Sequence, residues 1–220
     1  MTRRSGVRTA GYTDRYDAGR QLADQLAAYS GRADLTILGL PRGGVVTAAA
    51  VAERLGAPLD VFCVRKLGVP WHPELAMGAV ASGAVRVLND DVVRQLGIRP
   101  DEIDEVSRQE LAELARREAA YRGDRPPAPL AGRIVVLVDD GVATGATARA
   151  AAVAVRRLDP ARVVLAVPVA PAQALREFTD VVDEIVCPLT PDPFEAVGRW
   201  YRDFRPTSDD EVRALLQAHP

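Results

Sequence analysis

Aromatic residues make up only 5% of this chain, with four Phe, five Tyr and two Trp. Its core must therefore be built from Val, Leu, Ile and Ala. There are two cysteines, Cys63 and Cys187, far apart and each inside an apolar run. They form no C-x-x-C pair and no disulfide framework, and they read as buried, reduced thiols. The two histidines, His72 and His219, have no ligand spacing around them, which argues against a structural zinc site. No apolar run approaches the roughly 18 residues of a membrane-spanning helix. The opening Met1-Thr2-Arg3-Arg4-Ser5 is positive but has no hydrophobic stretch behind it, so no export signal is expected and the cytoplasm is the expected address. Neither sign of charge is in excess, with 28 Lys and Arg against 30 Asp and Glu. That balance excludes a global basic field for nucleic acid and the acidic surplus of a disordered tail.

What is present is an ordinary globular composition, 48% hydrophobic and 26% charged over 220 residues. This length suits one domain and can bury a core without staples. Residues 14–29 carry Ala18, Leu22, Leu26 and Tyr29 at helical spacing. A strand is expected at 35–40, a helix at 45–55 and a second buried strand at 59–64. Residues 65–84, with Gly68, Gly78, Gly83, Pro70 and Pro73, read as a loop, and 84–88 as a short strand. Residues 89–122 read as helical with a break at Pro100. A proline-rich link at 125–129 precedes the strongest strand, 134–138. Helices are expected at about 147–158, from Ala172, and at 209–217 with Ser208 as N-cap. Strands are expected at 162–169 and 184–187. Continuous Val/Ile/Leu runs alternating with helices predict an α/β fold, a mostly parallel sheet covered on both faces. The expected layout is a single domain with a core at about 35–190, a helical insert at about 89–122 and a C-terminal hood or tail at about 191–220.

Residues 134–147 are the most informative stretch. An apolar strand ends in Asp139-Asp140, and a loop of small residues leads directly into a helix. Ala143, Gly145 and Ala146 leave backbone amides uncovered, Thr144 and Thr147 add hydroxyls, and the helix start adds unpaired N–H groups. Such a turn is built to cradle a phosphate. It is neither a G-x-x-x-x-G-K-[ST] loop nor a G-x-G-x-x-G fingerprint. Asp139 and Asp140, adjacent on an extended strand end, point to opposite sides. They suit hydroxyl groups, or a magnesium ion reached through water, better than a paired general acid and base. A phosphate beside a diol is what a ribose 5-phosphate presents.

The 13 residues Val135–Thr147 resemble the phosphoribosyl pyrophosphate (PRPP) signature of type I phosphoribosyltransferases. Gly141 departs from that pattern, where many members carry an aliphatic residue, and reads as added loop freedom. The resemblance implies that Asp139 and Asp140 hold the ribose hydroxyls, with Asp140 also a base toward the acceptor, and that 143–147 hold the 5-phosphate. It further implies a second anion site for pyrophosphate at Arg42-Gly43-Gly44, at a turn where a cis non-proline peptide is often found. Strand–Gly–Gly–helix turns also arise from packing alone. Arg65-Lys66 resembles the basic pair that opens the family's mobile catalytic loop; a solvated surface pair is the other reading. His72 and Glu74 are candidate lid residues, or bystanders. Phe194 and Trp200 could stack on a base, or could pack the tail onto the sheet.

Under this resemblance the chain would use PRPP and Mg²⁺ to transfer a 5-phosphoribosyl group to a small nitrogenous base, purine-like by preference, and release pyrophosphate. A homo-oligomer is a family-level expectation. Two other readings stand beside it, a non-catalytic PRPP-binding regulator of the same fold and a relative that binds another phosphosugar.

Overall fold

The computed structural model describes residues 11–219, so the loosely ordered start expected for the first ten residues lies outside the described residues. Five strands, β1 (Leu35–Gly39), β2 (Leu59–Val61), β6 (Ile134–Val138), β7 (Arg162–Ala166) and β8 (Glu184–Val186), form a parallel sheet in the order β2-β1-β6-β7-β8. Every residue of β1 and β6 is buried. These strands alternate between two hydrophobic clusters, as the strand pleat requires. Leu35, Ile37, Val136, Val138 and Val164 face α1 (Arg15–Gln25) and α2 (Gly43–Leu55). Leu38, Val135, Leu137, Val163 and Leu165 face α5 (Ala146–Arg156). The sheet is thus covered on both faces, as the apolar runs predict.

The expected strand at 59–64 divides in two. β2 ends at Val61, and Val64 opens a second, antiparallel sheet, β3 (Val64–Val69), β4 (His72–Ala81) and β5 (Val85–Leu88). The expected loop at 65–84 is therefore mostly a hairpin. Its glycines and prolines mislead because they serve the sheet. Gly68 sits where the β3–β4 register shifts, and Pro70 lies at the turn. Buried Leu67, Val69, Met77 and Val80 anchor the hairpin in the core.

Residues 89–122 form α3 (Asp90–Leu96) and α4 (Pro100–Arg122), with the expected break falling just before Pro100, the first residue of α4. The helix expected from Ala172 is the short α6 (Ala172–Arg176), and the chain closes with α7 (Asp209–Ala218). Ser208 caps α7 as expected, its hydroxyl accepting from the Glu211 N–H at 3.1 Å. Asp60 on β2 ties the end of α4 and the proline-rich link to the parallel sheet. It accepts from Arg122 Nε at 2.8 Å and from the Ala128 N–H at 2.9 Å, and lies 3.5 Å from Arg125. Cys63 is buried and Cys187 half-buried, and burial pushes their thiols up to about 12 and about 11. No helix among the described residues is long and apolar enough to cross a membrane.

Candidate active site

Strand register assembles the site. Gly39 on β1 pairs with Val138 on β6, and the Leu40 N–H donates to the Val138 carbonyl at 2.9 Å. The turns that leave these two strands therefore lie side by side at the carboxyl edge of the sheet, where ligands of open α/β sheets bind. A Cβ on Gly43 would stand 2.0 Å from Asp140 Oδ2, and one on Gly44 would stand 2.8 Å from Asp139 Oδ1. Only glycine admits this approach. The Pro41–Arg42 peptide is cis.

Asp139 Oδ1 accepts from the Asp140 N–H at 2.8 Å. Desolvation first, and the charge of Asp140 second, hold the Asp139 carboxyl well above the usual carboxylate range. Desolvation also raises Asp140, but Arg15 opposes it, with Nε 2.6 Å from Asp140 Oδ2. Arg15 Nη1 donates to the Arg205 carbonyl at 2.8 Å, and its Cζ lies 3.8 Å from the centre of the Phe204 ring. The Tyr201 hydroxyl donates to the Asp140 carbonyl. Burial, then the Asp140 charge, push that phenol up, so it stays a neutral donor.

The segment 143–147 follows. Val142 is pinned by its N–H to the Val169 carbonyl at 2.9 Å, and α5 starts at Ala146 behind Gly145. Among the described residues, no acceptor faces the amides of 143–147, and Thr144 and Thr147 are exposed. Gly141 does not loosen this loop. A Cβ there would meet Val197 at 2.5 Å, so Val197 and Val169 fill the space an aliphatic residue would take.

The remaining predicted residues spread around this centre. Arg42 is half-exposed and 3.9 Å from Asp209 at the start of α7. Lys66 lies 3.4 Å from Glu74 and borders a cavity of about 360 Å³ shared with Asn89, Ala146 and Thr147. Arg65 points the other way, hydrogen-bonded to Glu110 and 3.9 Å from Glu113 on α4. His72 and Glu74 are exposed on the hairpin. Phe194 and Trp200 pack with Tyr12, Val169 and Tyr201, and the Trp200 carbonyl accepts from the Tyr12 N–H at 2.7 Å. Asp139, Asp140, Gly43 and Gly44 are thus brought into contact, and Lys66 joins Ala146 and Thr147 at one cavity. Arg65 faces α4 instead. Sequence reasoning missed Arg15, Tyr201 and Phe204. The Asp14 cap marks a helix start, but nothing local signals a partner 125 residues away.

A parallel sheet covered on both faces, with two glycine-bearing turns at its carboxyl edge, is the architecture of the type I phosphoribosyltransferases. The family model described as phosphoribosyl transferase domain matches residues 11–198, and the chain belongs to that family. Its similar relatives include two Mycobacterium tuberculosis proteins, from strains CDC 1551 / Oshkosh and ATCC 25618 / H37Rv, each named "putative phosphoribosyl transferase". Both are 54% identical over 209 residues, which is 94% of this chain and 47% of theirs. The chain thus spans about half the length of these curated relatives. The crystal structure of TT1426 from Thermus thermophilus is similar with a TM-score of 0.85 and 43% identity, covering 95% of this chain and 99% of that one.

Proposed function

We propose that this chain binds PRPP with magnesium and transfers its 5-phosphoribosyl group to a small nitrogenous base, purine-like by preference, releasing pyrophosphate. One observation carries the reading, the contact of the Gly43-Gly44 turn with Asp139 and Asp140 across the β1–β6 register. A ligand with two anionic ends and a diol between them fits that pair of turns. The amides of 143–147 and the Thr144 and Thr147 hydroxyls would take the 5-phosphate. Asp139 and Asp140 would accept from the ribose hydroxyls, and Arg42 with the Gly43 and Gly44 backbone would take pyrophosphate.

The donor set suits magnesium. Among the described residues no cluster of three or more His, Cys, Asp or Glu side chains could hold an ion by itself. Asp139 and Asp140 would reach the ion through water, leaving its other positions to water and phosphate oxygens, which is how Mg²⁺ is usually held. When bound, the ion would neutralise charge on pyrophosphate. The acceptor nitrogen would form the bond to ribose C1 as the C1–O bond breaks, and that electron pair would leave with pyrophosphate. Lys66, at the cavity it shares with Thr147, would assist electrostatically, and Asp140 would receive the acceptor's proton. Arg65 would act from the hairpin through its hold on α4. His72 and Glu74 would ride on the same hairpin as it closes. Phe194 and Trp200 are the candidate stacking rings, an assignment that base preference in Phe194→Ala and Trp200→Ala would test.

The test is a pyrophosphate-release assay with PRPP, Mg²⁺ and a panel of purine and pyrimidine bases. Release with one base, abolished in Asp140→Asn, is the expected result. PRPP binding with no release across the panel would replace the enzyme reading with a PRPP-binding regulator. No PRPP binding would remove the anion-site assignments altogether.

A further inference from the structure

We propose that Arg15 is a positioning residue that holds Asp140 in a single orientation, using a guanidinium which the C-terminal tail itself fixes. The proposal rests on the PRPP reading above, because it concerns the carboxylate assigned to the ribose diol.

Three contacts fix the Arg15 head. Nε reaches Asp140 Oδ2 at 2.6 Å, Nη1 donates to the Arg205 carbonyl at 2.8 Å, and the flat face lies against the Phe204 ring at 3.8 Å. The pair is well shielded, with side-chain exposures of 11% for Arg15 and 16% for Asp140. Gly43 crowds the same contact, since a Cβ there would stand 2.0 Å from Oδ2 and 2.6 Å from Arg15 Nε. The Tyr201 hydroxyl holds the Asp140 backbone carbonyl. Rotation of the Asp140 carboxylate would break a charge-assisted bond in a shielded site, so Oδ1 is the oxygen left to face a ligand. Asp139 has no ion-pair partner among the described residues; its Oδ1 accepts instead from the Asp140 N–H at 2.8 Å.

The guanidinium geometry matters as well as its charge. A lysine ammonium could sit near Asp140 but has no planar face for Phe204 and no fork to reach Arg205 at the same time. The ends of the described chain thus act on the ribose carboxylate from outside the sheet, Arg15 from the start of α1 and Phe204 and Arg205 from the tail.

Calorimetric titration with Mg·PRPP and, separately, with Mg·pyrophosphate tests this in wild type, Arg15→Met, Arg15→Lys, Asp140→Asn and the Arg15→Met/Asp140→Asn double variant. Melting temperature is read for each. Arg15→Met and Arg15→Lys are each expected to weaken PRPP binding by roughly tenfold or more, since each strands a shielded charge or loses its fork. Pyrophosphate, which presents no diol, is expected to bind as in wild type. Arg15→Met is expected to add no further loss once Asp140 is Asn. Full PRPP affinity in Arg15→Lys would overturn positioning in favour of charge alone. Equal losses for PRPP and pyrophosphate, or additivity with Asp140→Asn, would overturn it in favour of a structural role. If Arg15→Met does not fold, Arg15→Lys and Phe204→Leu decide. Selective loss of PRPP affinity in both upholds the proposal, and wild-type affinity in both ends it. If wild type itself fails to bind PRPP, the functional reading has failed first, and this inference falls with it before any variant is compared.

Discussion

At the edge of the parallel sheet, Asp139 and Asp140 meet Gly43, Gly44 and Arg15 at contact distance. On the antiparallel sheet, Arg65 and Lys66 are just as close in sequence yet turn to opposite sides, one to α4 and one to the cavity beside Thr147. The physical difference lies in how each pair is presented. A turn that leaves a parallel strand can gather groups from neighbouring turns, because register places all the strand ends together. Adjacent residues inside a strand are separated by the pleat. The first arrangement gathers charge at one place, and the second divides it between α4 and a cavity.

The strongest test lies in the ion pair that ties α4, the helix Arg65 faces, to the parallel sheet. Asp60→Ala would leave Arg122 buried without its main partner. The side chains of this pair are only 3% and 7% exposed. The expected cost is about 3–5 kcal/mol in urea denaturation. A cost below about 1 kcal/mol, the level of a surface pair, would mean that packing rather than this ion pair holds α4 on β2.

Next in size is Gly43→Ala, which tests the crowding at the parallel edge. The new methyl would collide with Asp140 Oδ2 and Arg15 Nε. PRPP affinity is expected to fall on the order of tenfold to a hundredfold, the scale of 1–3 kcal/mol of overpacking. Calorimetry would read it, and an unchanged affinity would show that the Asp140 geometry is not required.

A smaller contrast sharpens the antiparallel side. Lys66→Ala is expected to reduce pyrophosphate release about tenfold or more through a lost electrostatic contact. Arg65→Ala is expected to lower stability by about 0.2–1 kcal/mol and to change release less than Lys66→Ala does. Equal effects on release would place both cations at the ligand.

A weaker response is the pH dependence of α4, which receives Arg65. Glu113 is held down at about 2, chiefly by its hydrogen bond from Arg116, with Arg117 and Arg65 adding to it. A depressed carboxylate contributes stability above its unfolded pKa and loses it as pH falls toward the folded value. Wild type and Glu113→Gln should therefore differ most near neutral pH, and their denaturation midpoints should converge as pH approaches 2. A difference that persists at that pH would mean that something other than charge is involved.

Much of the fold was legible because its signals are local. β6 spans the residues its apolar run predicts, α7 starts behind Ser208, and helices cover both faces of the sheet. The hairpin was not legible, because the same glycines and prolines that mark loops also mark register shifts and tight turns within sheets. In the site, Asp139, Asp140 and 143–147 could be named from one continuous stretch, and Gly43 and Gly44 from another. Arg15 and Tyr201 could not be named. Each looks like any arginine or tyrosine of a helix start or a tail until the chain closes.

Local sequence patterns specify the elements whose signals lie within a few residues of one another. Those are the apolar strands, the capped helices and the small-residue turn after Asp140. Hydrophobic periodicity and capping act over that range, so the sequence pattern carries them. Which turns touch, that Arg65 faces α4, and that Arg15 meets Asp140 emerge when the chain packs. Those outcomes depend on strand register and on pleat, which bring together residues as far as 125 positions apart.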